Sequence, residues 1–210
     1  MARDATETRE KLRRAAEHLF ARHGLDVPIR EIHALAGQKN ASAIQYHFGS
    51  KEELVAAIIE RHAPTPEAML AVRADLQSKR DDPRSFVEAI VRRLCGYLAN
   101  EESRDYVRFS FNLMQRTSMR GVLARESEEH HSMAAVYAET DLVRAMFPAL
   151  PERLVRERAV AGMSFITLEV AERAKLIDDG DLEVLLDEEE FIANLVDMAT
   201  GILTAPSTLA

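Results

Sequence analysis

Between Gly37 and Lys51 the chain reads Gly-Gln-Lys-Asn-Ala-Ser-Ala-Ile-Gln-Tyr-His-Phe-Gly-Ser-Lys. These side chains suit one kind of chemistry, hydrogen bonding to the base edges and phosphates of a nucleic-acid groove. Ser42 and Gln45 can donate to and accept from base edges, and small residues such as Ala41 and Ala43 let a helix approach the groove floor and touch thymine methyls. Lys39 and Asn40 come just before, in a turn opened by Gly37, and sit at the groove mouth. Tyr46 and His47 can donate to the flanking phosphates. Lys51 falls in the first turn of the next helix, where its charge adds to the positive helix end and makes a site for phosphate.

Those groups need a frame, and the preceding sequence supplies one. Leu12, Ala15, Ala16, Leu19 and Phe20 recur at helical spacing and predict a helix over Thr6–His23, with polar residues including Arg13 and Glu17 on its other sides and Gly24 as a left-handed stop. Pro28 suits the first position of a second helix, Pro28–Ala36, that buries Ile29, Ile32 and Leu35 or Ala36. A third helix is predicted over Ala41–Phe48, anchored by Ile44 and Phe48. Ser50 and Glu53 form a capping box for a fourth. Three short helices with a glycine turn between the second and third describe a helix-turn-helix, whose third helix presents its N-terminal residues to base edges. Pro64 and Pro66 mark the boundary between a DNA-binding domain, residues 1–62, and a larger domain, residues 63–210.

Composition agrees with an all-α chain: 210 residues, 47% hydrophobic, with only 8 Gly and 7 Pro, and no alternating β-branched run. The net charge of −8 is unevenly spread. Residues 1–62 carry 10 Lys+Arg against 9 Asp+Glu, and the rest carry 17 against 26. The acidic remainder turns the near-neutral end toward DNA. Cys95 is the single cysteine, which excludes an intramolecular disulfide and fits a buried residue in a reducing compartment. The longest nearly apolar stretch, Ala159–Leu168, falls far short of the ~20 residues that span a bilayer. A soluble cytoplasmic protein is predicted, with no membrane partner. No catalytic set, phosphate loop, metal pair or cofactor motif is present. Glu128-Glu129-His130-His131 lacks the i, i+4 spacing of a helical metal pair. Nothing in the sequence supports an enzyme, and the alternative reading is a small helical ligand-binding adaptor or enzyme without DNA affinity.

Beyond Pro66 the periods predict helices over Pro66–Lys79, Pro83–Asn100, Ser103–Gln115, Arg120–Phe147, Glu152–Ile177 and Glu188–Leu203. The last two are apolar over so much of their circumference that each is buried on more than one side. They are either core helices of a monomer or partners of their symmetry mates in a four-helix dimer interface. Phe86, Tyr97, Phe109, Met114 and Tyr137 are candidates to line a pocket for a mostly apolar small molecule, with Arg108, Asn112 and Gln115 as possible polar contacts.

The residues from Leu12 to Leu54 resemble the DNA-binding domain of the TetR family of bacterial transcriptional regulators. The matching pieces are Ala15-Ala16, Leu19-Phe20, Gly24, Ile29-Arg30-Glu31-Ile32, Ala36-Gly37, and Tyr46-His47-Phe48 followed by Lys51 and Leu54. Two features depart from the family pattern. Val27-Pro28 stand where a threonine is frequent, and the turn before the third helix is one residue longer. The resemblance implies an all-helical homodimer that binds double-stranded DNA through its N-terminal domain. It also implies a C-terminal ligand-binding and dimerisation domain, an unidentified small-molecule effector, and action as a repressor on a palindromic operator. It favours the symmetric pairing of Glu152–Ile177 and Glu188–Leu203.

Overall fold

The apolar periods fold as helices in the computed structural model of the protein. It describes residues 2–116, 141–181 and 186–209. Helix α1 (Ala2–His23) starts earlier than its apolar period and ends at Gly24, whose φ of +76° lets its N–H reach the Phe20 carbonyl. Then come α2 (Ile29–Leu35), α3 (Ala43–Phe48) and α4 (Lys51–His62). Ser50 caps α4 by accepting the Glu53 N–H. Leu12, Ala16 and Phe20 of α1 form one apolar core with Ile32, Ala43, Ile44, Leu54 and Ile58. Within α2 the buried residues are Ile32 and His33, and Ala36 at its C-cap is buried as well. Ile29 and Leu35 stay 40% and 54% exposed, because so short a helix offers only a narrow inward stripe.

After a proline-rich link come α5 (Pro66–Ser78), capped by Thr65, and α6 (Pro83–Cys95), capped by Asp82. A 3-10 turn over Gly96–Ala99 breaks the helix that the period carried on to Asn100. Then follow α7 (Glu101–Arg116), a helical segment at 141–146, α8 (Glu152–Asp179) and α9 (Glu188–Thr204). Asp187 and Glu190 form a complete capping box on α9. No strand occurs among the described residues. A second core joins Phe86, Val87 and Val91 of α6 to Val170 and Ala174 of α8 and to Leu195 and Val196 of α9. Cys95 is buried in it, and burial pushes its thiol up to about 11, so it stays protonated.

Helix α7 joins the two cores. Its Val107 packs into the second, while its Phe109 is fully buried in the first, with the Phe20 ring 6.2 Å away. Asn112 Nδ2 donates to the carbonyls of Phe20 (2.8 Å) and Ala21 (3.1 Å) in the last turn of α1, where the Phe20 carbonyl also accepts the Gly24 N–H. Arg22 pairs with buried Asp105, and His18 Nδ1 lies 2.9 Å from the same carboxylate. Burial pushes the Asp105 carboxyl up despite both neighbours. From α8, Asp178 meets Arg104 (2.6 Å), Arg108 (3.0 Å) and Arg22 (3.8 Å).

These contacts correct part of the pocket assignment. Phe109 belongs to the core of the N-terminal helices, Arg108 to an ion cluster and Asn112 to a helix end, because the inward face of α7 meets α1 and α8. Phe86 lines a small apolar cavity of about 30 Å³. Tyr97 is half-buried, its ring 5.5 Å from that of Tyr106, and Met114 is half-buried further along α7. Tyr137 and the Glu128–His131 run lie outside the described residues.

The polar sides of α1 are also partly internal. Arg13 and Glu17 are each 2% exposed. Arg13 makes a two-pronged bond to Glu10 and a 2.6 Å bond to Glu17. The other Glu17 oxygen lies 2.6 Å from His62 Nε2 at the end of α4, too far off line for a good hydrogen bond. The His62 ring stacks on Tyr106 of α7 at 3.9 Å.

Candidate nucleic-acid interface

Helix α2 closes in a Schellman turn. Gln38 N–H bonds the His33 carbonyl at 2.8 Å and Gly37 N–H bonds the Ala34 carbonyl at 3.1 Å, with Gly37 at φ +66°. Asn40 then organises the exit. Its side-chain oxygen accepts the Ser42 N–H (2.9 Å) and its carbonyl accepts the Ala43 N–H (3.1 Å). The Asn40 side chain thus serves the turn, and α3 begins at Ala43 rather than Ala41.

That later start changes which side chains face outward. Ala43 (4% exposed) and Ile44 (2%) point into the core. Ala43 therefore cannot touch a groove floor, and its methyl packs inward instead. Gln45 and Tyr46 are exposed, Tyr46 to 78%, and the Tyr46 and His47 rings meet edge to face at 4.9 Å. Lys39, Asn40 and Ser42 are exposed in the turn. Arg9 of α1 lies over the Phe48 ring, 4.7 Å from its centre, and steadies the far end of α3.

Lys51 takes a different position from the one its spacing predicts. Its Nζ donates to the Val27 carbonyl at 2.6 Å and lies 5.4 Å from the centre of the Phe20 ring, and burial holds its pKa down. The ammonium is drawn inward because it satisfies a backbone acceptor next to the core. Lys51→Ala should consequently lower the melting temperature while leaving the slope of log K against log salt unchanged, as measured by DNA titration at several salt concentrations. A slope reduced by about one contact would restore Lys51 to the phosphates.

One positioning group escaped the sequence reading. His33, 6% exposed, accepts the Ile44 N–H on its Nε2 at 3.2 Å. The available signal was a histidine next to Ile32 on a helix with few inward positions. Among the described residues His18, Glu101 and Asp105 are close enough to hold a metal ion. Arg22 already pairs with both carboxylates, and its cation opposes a second positive charge there.

Residues 12–58 match the model of the TetR-family bacterial regulatory proteins, spanning the helices just described. No curated protein matches the chain. Among solved structures, the fold is similar to that of NalD, the secondary repressor of the MexAB-OprM multidrug efflux pump in Pseudomonas aeruginosa. The identity is 22%, the match covers 94% of this chain and 95% of that one, and the TM-score is 0.56. No helix among the described residues is long and apolar enough to cross a membrane. The exposed face of α3, held on a buried Ala43–Ile44 anchor, thus lies within a segment, residues 12–58, that is similar to the TetR family of bacterial regulatory proteins.

Proposed function

We propose that the protein is a transcriptional repressor that binds a palindromic operator as a homodimer and releases it when a small molecule occupies its body. The observation that carries this reading is α3. One face is locked into the core by Ala43 and Ile44, and the other presents Gln45 and Tyr46 to solvent within a segment matched to the TetR family. Ser42, Gln45 and Tyr46 are the proposed contacts with bases and the adjoining backbone. Lys39, Asn40 and His47 flank them.

Residues 1–62 would form the DNA-binding unit and 63–210 the regulatory body. The dimer interface would use the outer faces of α8 and α9, which supports two DNA-binding units at the one-turn spacing (~34 Å) of adjacent half-sites. Met198, 40% exposed, lies on that side of α9. Phe86, Tyr97 and Met114 are the proposed effector lining. Binding would act only through a preference for a spacing of the two α3 helices that misfits the grooves.

Gel-shift titration on duplexes from the region upstream of its own coding sequence tests the reading, and absence of a salt-sensitive, sequence-specific shift would overturn it. Gln45→Ala should lose about 1–3 kcal/mol at a single base pair and little elsewhere in a panel of single-site operator variants. An equal loss at every variant would instead place Gln45 on the backbone.

A further inference from the structure

Helix α3 has six residues, and its cap Ser42 gives no side-chain bond to the helix amides. A helix this short does not hold its own shape or direction, because nucleation is costly and its few internal bonds are weak. Its direction has to be imposed from outside. Ile44 is 2% exposed, so its N–H needs a partner within the protein. That partner is His33 Nε2, on α2, across the whole turn. The His33 carbonyl meanwhile accepts the Gln38 N–H at the start of the turn. One buried residue thus holds both ends of the link between α2 and α3, its backbone at the entrance and its ring at the exit. Because a backbone N–H donates, Nε2 offers its lone pair and the ring proton resides on Nδ1.

We propose that His33 is the positioning residue for the recognition helix, fixing the direction in which Gln45, the next residue after Ile44, meets the bases. This rests on the reading of α3 as the DNA-contacting helix. His33 is buried and touches no DNA, so it sets sequence discrimination and leaves attraction to the phosphates to other groups. Without its ring the Ile44 N–H has no partner, the start of α3 loosens, and Gln45 samples several directions.

The experiment uses the full-length protein, with the upstream duplex that the wild type selects and a shuffled duplex of equal composition. His33→Leu keeps an apolar filling without an acceptor. It should weaken binding to the selected duplex by about tenfold or more, the usual consequence of leaving a buried donor unpaired, and change shuffled-duplex binding by less than about twofold. His33→Gln, which carries an acceptor oxygen near the same reach, should recover most of the discrimination. If His33→Leu keeps the wild-type ratio between the duplexes, the proposal is wrong while the DNA-binding reading stands. If the wild type itself favours no duplex, that reading fails and the proposal with it. A measurement on the wild type alone decides the case should the variants not fold. Nitrogen NMR should show His33 Nε2 unprotonated and the Ile44 amide protected from exchange, and a protonated Nε2 or a fast Ile44 amide overturns the proposal.

Discussion

Phe109→Ala is expected to destabilise the protein by about 3–5 kcal/mol, the range for removing a fully buried phenylalanine. The ring has no exposed surface. It lies 6.2 Å from the Phe20 and Tyr106 rings, and its neighbours in the cluster come from α1 through α4. The cavity left behind would lie within a close-packed cluster whose helices are held by their own contacts, so little of it can close. The effect should reach beyond stability. Phe109 is the body's contribution to the core on which α3 rests, so the variant should also bind its operator less tightly at temperatures well below unfolding. Urea denaturation combined with DNA titration measures both quantities. A loss under about 1 kcal/mol would mean that α1 and α7 are not packed as described, because even a conservative core trimming costs that much.

Asp178→Ala should cost about 3 kcal/mol, near the lower bound for breaking a buried ion pair, since the arginines left behind keep some access to water. The Asp178 side chain is 7% exposed and meets Arg104 and Arg108 of α7 and Arg22 of α1. Its removal leaves three cations facing one another with only Asp105 and Glu101 nearby, both already engaged by Arg22. For a chain of this length the expected shift in melting temperature is roughly 6–12 °C. Asp178→Asn, which keeps the shape and some hydrogen bonding, should lose less. Equal losses for the two variants would show that the charge is not what matters. The cluster links α8, which the proposed dimer would use, with α1, which packs beneath α3. The alanine variant should therefore also blunt any effector response, measured as the ratio of operator affinities with and without the small molecule.

Much of the architecture was legible because helical periods are local. Leu12, Ala15, Ala16 and Phe20 required a buried stripe, Gly24 and Gly37 required left-handed turns, and Ser50 announced the start of α4. The core assignments of Ile32 and Ile44 follow from the same periodicity. Periodicity shows that a residue is buried but not what buries it. The aromatic face of α7 was correctly apolar, yet Phe109 completes the core of the N-terminal helices, and Asn112 closes the end of α1. The two-residue delay in α3 was invisible for a related reason. Only the competition between the Asn40 side chain and the helix amides decides where the turn stops, and that delay turned Ala43 from a proposed groove residue into core.

The sequence by itself determined an all-helical chain with a helix-turn-helix near its start, because spacing, caps and glycines act over a few residues. It also determined that α3 would carry exposed Gln45 and Tyr46, with half-buried His47 beside them, on an Ile44 anchor. Only the tertiary structure decided that Lys51 turns toward Val27, that Arg13 and Glu17 are internal, and that His33 holds the Ile44 amide. Each of these depends on which acceptor or donor lies across a gap between elements. A polar side chain joins the interior only when such a partner is within hydrogen-bond reach, and that distance exists only once the helices have packed.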